Sequence, residues 1–167
     1  CTGMLWMKPR RYGMTMEEIT AATYYLMQDF ENNVGLQSNT DKKTETTLLT
    51  PLIHSYAKRP KWHRGSFYAP NGKLLGTKLE LKTNKLEDDG KSSEFLNGWL
   101  YGFPFLPQAM DGNEMAYIVM DEVWKVTHTS PQQTYDSNRL VTSGRKRKGA
   151  ISVLSTMGDT DNMLRSV

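Results

Sequence analysis

The chain has 167 residues, a length that suits one domain, because single domains cluster at roughly 100 to 150 residues. Four Trp, eight Tyr and five Phe supply too much buriable surface for disorder along the whole chain. A net charge of +3 is too small to indicate a nucleic-acid binder by itself. The one Cys, at position 1, excludes an internal disulfide and a Cys-based zinc site.

Neither a membrane segment nor a leader peptide is expected. No apolar run approaches the ~20 residues that span a bilayer, and the start lacks the pattern of a signal peptide. We therefore expect an intracellular protein. Because Cys1 stands where a natural chain has Met, we also expect that the N-terminal part of the full protein is missing.

The first elements are a strand and a helix. The apolar run 4–7 predicts a buried strand. Thr15 and Glu18 match a capping box, which predicts that a helix starts at Thr15 and runs over 15–33. Its apolar stripe at spacings of three and four is Ile19, Ala22, Leu26 and Phe30.

The middle of the chain alternates polar loops with a hairpin. Segment 37–47 is polar throughout, which predicts an exposed loop, and 47–57 is equally compatible with a helix or a strand. The Asn-Gly pair at 71–72 predicts a hairpin turn, with the alternating segment 73–83 as its return arm. A charged loop is predicted over 84–93.

Glycine and proline punctuate an aromatic segment near position 100. Two glycines, two prolines and five aromatics fall within thirteen residues, which predicts a buried strand or arch where backbones approach closely. Core packing is favoured over a ligand platform. Apolar runs at 115–120 and 150–154, with an alternating run at 122–127, predict further strands. The arch residues are Gly98, Trp99, Gly102, Phe103 and Pro104.

Motifs of catalysis and metal binding were not found. The three histidines lack the local spacing of a metal site, and the sequence contains no Walker loop, nucleophile elbow or dinucleotide fingerprint. Asp121 and Glu122 could hold a cation or act as acid and base. Because they stand between two strand-like runs, a polar turn is the favoured interpretation. We therefore predict no catalytic, cofactor-binding or metal-binding residue.

Two basic segments are candidates for contact with nucleic acid or an acidic partner. Four adjacent cations can neutralise phosphates, although a solvated or intersubunit turn is the commoner explanation. Trp62 and Arg64 combine an indole with a cation, a pattern suited to base stacking and phosphate contact. The four adjacent cations are Arg145, Lys146, Arg147 and Lys148.

Four blocks of the sequence resemble the later half of tailed double-stranded DNA bacteriophage major capsid proteins. The run 5–10 followed by the helix from Thr15 is similar to a family strand-and-helix unit, and 98–104 is similar to a Gly-x-Leu-x-Gly-x-Pro-like arch. Segments 115–126 and 139–154 are similar to the strands that follow. The resemblance covers most of the chain from Gly98 onward and a short patch near the start.

The resemblance implies an α+β fold with a mixed or antiparallel sheet, one long capped helix and an inserted β-hairpin. It implies a single domain over 1–167, in which 36–94 forms an insertion or lobe. The implied function is that of a self-assembling structural subunit of a capsid shell, without enzymatic activity or cofactor. Implied partners are copies of itself, other virion proteins and packaged DNA, in the virion and, before assembly, in the host cytoplasm.

Two other functions remain open at this point. A small nucleic-acid-binding β-rich module could use Trp62, Arg64 and the basic run 145–148. An enzyme of unrecognised type would require a pocket that brings Asp121, Glu122 and a histidine together.

Overall fold

A mixed β-sheet forms the centre of the protein in the computed structural model, which describes residues 2–8, 13–28, 32–60, 66–68, 79–86, 92–143 and 149–156. Within this described part, seven strands pair in the order β1-β7-β6-β2-β5-β4-β3. They are β1 (Thr2–Lys8), β2 (Val34–Ser38), β3 (Ser66–Tyr68), β4 (Leu79–Leu86), β5 (Ser92–Gly102), β6 (Tyr117–Asp121) and β7 (Ala150–Thr156).

The five strands at one side of this sheet run parallel. β7 pairs in parallel with β1 and β6, and β2 pairs in parallel with β6 and β5. β4 pairs antiparallel with β5, and β3 with β4. Because β1, β7, β6, β2 and β5 are parallel, their carboxyl ends all lie at one edge of the sheet. Parallel neighbours also need crossover connections.

Helices make these crossovers. They are α1 (Met14–Gln28), α2 (Asp41–Lys43), α3 (Thr50–Ala57) and α4 (Pro131–Ser143). A π-helical segment, Thr44–Leu49, joins α2 to α3, and a 3-10 turn, Val123–Lys125, follows β6.

The helices cover both faces of the sheet because the crossovers run in both directions. The paths from β1 through α1 to β2, and from β2 through α3 toward β5, cross the sheet one way, whereas the path from β6 through α4 to β7 crosses it the other way. Right-handed crossovers therefore place α1 and α3 on one face and α4 on the opposite face.

Two cores follow from this arrangement, one on each face. The core on the α1 side contains Leu36 of β2, Val119 of β6 and Leu154 of β7, with Ile19, Ala22 and Leu26 of α1. The core on the α4 side contains the alternate strand residues, with the aromatic rings that follow β5: Ile118, Met120, Ile151, Val153, Phe103 and Phe105.

The sheet is mixed, as predicted, and the runs 115–120 and 150–154 supply strands. The α+β capsid fold is wrong, since helices cover both faces of a largely parallel sheet. The exposed loop predicted over 37–47 is also wrong: Gln37 and Ser38 are buried in β2, and a helix begins at Asp41. The run 122–127 forms a 3-10 turn rather than a strand.

Segment 36–94 contributes β3, β4 and parts of β2 and β5 to this sheet. β3 and β4 form the antiparallel pair expected of the hairpin, while the predicted turn at 71–72 lies outside the described residues. The division of the chain into a domain and a lobe stays a prediction. Among the described helices, none has the length and apolar character needed to cross a membrane.

Candidate functional site at the carboxyl edge of the sheet

Asp121 ends the central strand β6 at the edge where the parallel strands finish. The side chain of Asp121 is only 1% exposed, and its Cα pairs with that of Ser38, which ends β2. Strand residues two apart share a face, and Leu36 and Val119 both belong to the core on the α1 side. Asp121 and Ser38 therefore lie side by side beneath α1.

Glu122 leaves the strand in a conformation that is rare for a residue with a side chain. Its φ of 55° and ψ of 37° lie in the left-handed region, which costs free energy and is concentrated at functional sites. Two contacts hold its carboxylate: the Thr156 hydroxyl donates to Oε2 at 2.9 Å, and Lys125 Nζ lies 2.5 Å from the same oxygen. The acidic side chain is thus fixed at the end of β7.

The N-terminus of α1 lies near the same edge, because only the segment 9–13 separates it from the end of β1 at Lys8. Gly13 has φ +79°, a conformation that favours glycine. Its carbonyl accepts the amides of Met16 at 2.8 Å and Glu17 at 3.2 Å. The N-terminus of such a helix carries the positive end of the helix dipole, which favours anions, phosphate among them.

A buried hydrogen-bond network fixes α1 over the sheet. The Tyr117 hydroxyl donates to the Glu18 carboxylate and lies 2.7 Å from Ser152 Oγ, so α1, β6 and β7 are joined. Burial raises the pKa of Tyr117 far above its usual range, and the Glu18 carboxylate raises it further. Tyr25 of α1 also stacks on Tyr117, with ring centroids 4.5 Å apart.

The oxygen donors at this edge suit a magnesium–phosphate group. Mg²⁺ typically takes one or two carboxylates, several waters and substrate phosphates, and phosphate-binding loops pair a Ser or Thr hydroxyl with a strand-end Asp. Thr15 in the first turn of α1 and Asp121 supply that pair. Among the described residues no cluster of three or more His, Cys, Asp and Glu could hold a metal alone.

The sequence around α1 matches half of the G-x-x-x-x-G-K-[ST] phosphate-loop pattern. Gly13 and Thr15 occupy the second Gly and the final Ser/Thr, whereas Lys8 and Met14 stand in place of the first Gly and the Lys. A search for the full pattern therefore misses it. The sequence signals that could have indicated the site are a Gly-x-Thr at the start of a helix and an Asp-Glu pair at the end of an apolar strand.

The basic residues predicted to contact nucleic acid fall in segments that the structure does not describe. Trp62, Arg64 and the basic run 145–148 lie outside the described residues, so their role stays a prediction. His128 lies elsewhere: its Nε2 is 3.0 Å from the carbonyl oxygen of Phe105, and Phe105 belongs to the core on the α4 side.

The predicted arch forms the end of β5 and the turn after it. Gly98 is tightly packed, since a Cβ there would lie 2.1 Å from the Asn32 carbonyl oxygen. Trp99 and Phe103 have ring centroids 6.4 Å apart on the α4 side. The Pro104 carbonyl accepts a hydrogen bond from Gln37 at 2.8 Å, and a Cβ on Gly102 would lie 3.1 Å from Thr44 Cγ2.

No protein-family model and no curated protein sequence matches the chain, whereas several solved structures do match it. The Thermus phage P74-26 large terminase ATPase domain has a TM-score of 0.61 and 11% identity, over 96% of this chain and 61% of that one. The chain has the fold of these domains.

Two further structures support that assignment of the fold. The large terminase of a thermophilic bacteriophage, in complex with ADP, has a TM-score of 0.59 and 16% identity, over 92% of this chain and 33% of that one. The Phi-28 gp11 DNA packaging motor has a TM-score of 0.53 and 14% identity, over 95% and 47%. This chain thus spans about a third of the length of the ADP-bound terminase.

These similarities overturn the capsid assignment. The structures that share the fold are large terminases and a DNA packaging motor, not capsid subunits. Two of the blocks behind the resemblance mark strand ends in a parallel sheet here: the apolar run near the start lies in β1, which ends at Lys8, and the Gly- and Pro-spaced segment 98–104 contains the end of β5. Such composition arises wherever a buried strand leaves a sheet.

The prediction that the protein is not an enzyme is wrong as well. Neighbours with this fold are ATPase domains, and large terminase structures from the thermophilic bacteriophage were solved with ADP and with ATP-γ-S. Asp121 and Glu122, interpreted from the sequence as a polar turn, instead stand at the edge where ligands bind in parallel α/β sheets. The neighbours named above are themselves bacteriophage proteins.

Proposed function

We propose that this chain is an ATP-binding and ATP-hydrolysing domain of the large-terminase type, which acts in phage DNA packaging. The observation that carries the proposal is the Asp121-Glu122 pair at the end of β6, at the edge of the parallel strands from which the chain also enters α1, on a terminase ATPase fold. Parallel α/β sheets bind ligands at this edge, where crossovers leave to opposite faces.

Each part of the nucleotide complex has a corresponding group. The N-terminus of α1, where the helix dipole has its positive end, would receive the phosphates. Thr15 and Asp121 would hold Mg²⁺, which neutralises charge on the phosphates during transfer. The network of Tyr117, Glu18 and Ser152 keeps α1 and β6 in register for that task.

Glu122 is the expected general base. It would accept a proton from the water that attacks the terminal phosphate, a role that positions a carboxylate within hydrogen-bond reach of that water. The Thr156 hydroxyl and the Lys125 ammonium orient the carboxylate in advance. Such pre-orientation lowers the entropic cost of the reaction.

Met14 stands where the phosphate-loop pattern has its lysine, so the positive charge that faces the phosphates must come from another residue. A phosphate loop normally ends with Lys before its Ser or Thr, and Met14 cannot neutralise phosphate charge. Lys8, Arg10 and Arg11 stand in or next to the segment that joins β1 to α1, and we propose that one of them supplies the positive charge.

Nucleotide binding and hydrolysis by the purified 167-residue chain test the proposal. Wild type should bind ATP-γ-S more tightly with Mg²⁺ than without. Glu122→Gln should keep that affinity and lose about 100-fold or more in hydrolysis rate, because a positioned general base contributes roughly 10²- to 10⁴-fold. Asp121→Asn should lose the magnesium-dependent part of the affinity.

A carboxylate outside the site provides the matched control. Asp136 lies exposed on α4 and accepts hydrogen bonds from Gln132, so Asp136→Asn should behave as wild type. Failure of wild type to bind ATP-γ-S would refute the proposal. Equal hydrolysis by wild type and Glu122→Gln would refute the assigned role of Glu122.

DNA is the proposed macromolecular partner, in the host cell during packaging. The basic run 145–148 falls in sequence between the end of α4 and the start of β7, and Trp62 and Arg64 precede β3. Charge reversal of the basic run should weaken DNA binding and reduce its salt dependence, as measured by titrating labelled duplex at several salt concentrations. Unchanged salt dependence would exclude the run from DNA contact.

A further inference from the structure

Two buried polar atoms at the end of β2 have no hydrogen-bond partner among the described residues. Ser38 is 1% exposed and its Oγ is unpartnered. Asn39 is the next residue, and its buried Oδ1 likewise has no partner. The Ser38 backbone is satisfied, because its amide donates to Thr44 Oγ1 at 2.9 Å. A buried polar group without a partner destabilises the fold.

Other buried hydroxyls on this face of the sheet are paired. Ser152 Oγ lies 2.7 Å from the Tyr117 hydroxyl, and the Thr23 hydroxyl donates to the Ile19 carbonyl at 2.7 Å. Exchange of Ser38 for an apolar residue of similar size would remove the cost of its hydroxyl. The location of the unpaired hydroxyl therefore requires an explanation other than packing.

That location is beside Asp121. The Cα atoms of Ser38 and Asp121 are partners in the parallel ladder, and both side chains lie on the α1 side at the carboxyl edge. A group bound between Asp121 and the first turn of α1 would meet Ser38 first among the residues of β2.

The chemistry of the unpaired atoms favours a water partner. Asn39 Oδ1 is an acceptor, and phosphate oxygens are acceptors too, so the partner must be a donor. Mg²⁺ in nucleotide sites keeps several of its waters, and these waters donate. A serine hydroxyl accepts such a bond equally well.

We propose that Ser38 and Asn39 bind a water of the magnesium–nucleotide complex beside Asp121 and thereby position its terminal phosphate. This inference rests on the proposed function and adds two binding residues to it. Both act only when magnesium and nucleotide are present together. Their contribution should appear in the magnesium-dependent part of the affinity alone.

The test compares Ser38→Ala and Asn39→Ala with Thr134→Val, which removes a buried hydroxyl that has a partner: Thr134 of α4 is fully buried and its hydroxyl donates to the Ser130 carbonyl at 3.1 Å. Two quantities are measured on the whole chain: the thermal midpoint without nucleotide, and the affinity for ATP-γ-S with Mg²⁺ and with EDTA. Ser38→Ala and Asn39→Ala should keep or raise the midpoint and lose about 2- to 10-fold in affinity with Mg²⁺. Their affinity in EDTA should equal that of wild type.

Thr134→Val should show the opposite pattern, a lowered midpoint with little change in affinity, because it removes a paired hydroxyl on α4, which packs on the opposite face of the sheet. Wild-type affinity for Ser38→Ala and Asn39→Ala in Mg²⁺ would overturn the inference and leave the proposed function intact. A midpoint that falls in Ser38→Ala as in Thr134→Val would also overturn it. Absence of ATP-γ-S binding by wild type would instead refute the proposed function.

Discussion

Removal of the Tyr117 hydroxyl tests how firmly α1 is fixed above the sheet. In Tyr117→Phe, the Glu18 carboxylate, only 5% exposed, loses the donor that the Tyr117 hydroxyl provides. A hydrogen bond to a charged group contributes about 1.5 to 3 kcal/mol, and an unpaired buried acceptor adds a desolvation penalty. We expect the free energy of unfolding, measured in urea at pH 7, to fall by about 2 to 3 kcal/mol.

The same variant predicts a change at alkaline pH. Burial, and then the hydrogen bond to Glu18, raise the pKa of Tyr117 in the folded state, whereas an unfolded tyrosine titrates near pH 10. The stabilisation is therefore complete below about pH 10 and declines above it, as the unfolded state loses its proton first. Wild type should lose about 1 kcal/mol more than Tyr117→Phe between pH 10 and pH 11.

Tyr24 provides the control, since 57% of its surface is exposed and Tyr24→Phe should retain both the stability and the alkaline slope of wild type. The reasoning fails if Tyr117→Phe unfolds at the same urea concentration as wild type. It also fails if the two proteins lose stability in parallel above pH 10, since Tyr117 would then titrate alike in the folded and unfolded states.

Two further predictions concern packing and the acidic site. Gly98→Ala should lower the free energy of unfolding in urea by more than about 3 kcal/mol, because the added Cβ would clash with the Asn32 backbone. Gly35→Ala should lower it by less than about 1.5 kcal/mol, because its Cβ would lie 2.9 Å from the flexible end of Met110, which can move. Lys125→Met should change stability by less than about 1 kcal/mol, since Lys125 is partly exposed. It should lower kcat for ATP about fivefold with KM unchanged; an unchanged kcat would exclude Lys125 from orienting Glu122.

Elements with strong local patterns could be predicted from the sequence. The stripe of Ile19, Ala22 and Leu26 lies fully buried along α1, although the helix begins one residue before the predicted start. The predicted apolar run 115–120 contains most of β6, which begins at Tyr117, and the segment 150–154 forms most of β7; both strands are largely buried. In these cases hydrophobic periodicity depends on neighbours in the chain, which the sequence contains.

Buried polar elements could not be predicted in this way. Gln37 is fully buried, donates to the Pro104 carbonyl and accepts from Asn138 of α4 at 2.7 Å. Its partners stand 67 and 101 residues away, so composition alone indicated a solvated loop. The helix α4 was missed for the same reason, since its buried side includes Thr134, Asn138 and Thr142.

The candidate site was misread because its meaning depends on strand direction. A polar pair after a strand is the ordinary composition of a turn between antiparallel neighbours, and Asp121-Glu122 fits that description locally. In a parallel sheet the same pair stands beside the ends of the adjacent strands. Here Asp121 pairs with Ser38 of β2, and Glu122 accepts a hydrogen bond from Thr156 of β7. Direction is set by crossovers that span tens of residues, as from Lys8 through α1 to Val34. Two short signals, Gly-x-Thr before α1 and Asp-Glu after β6, therefore acquire a chemical meaning only once the parallel sheet brings them to the same edge.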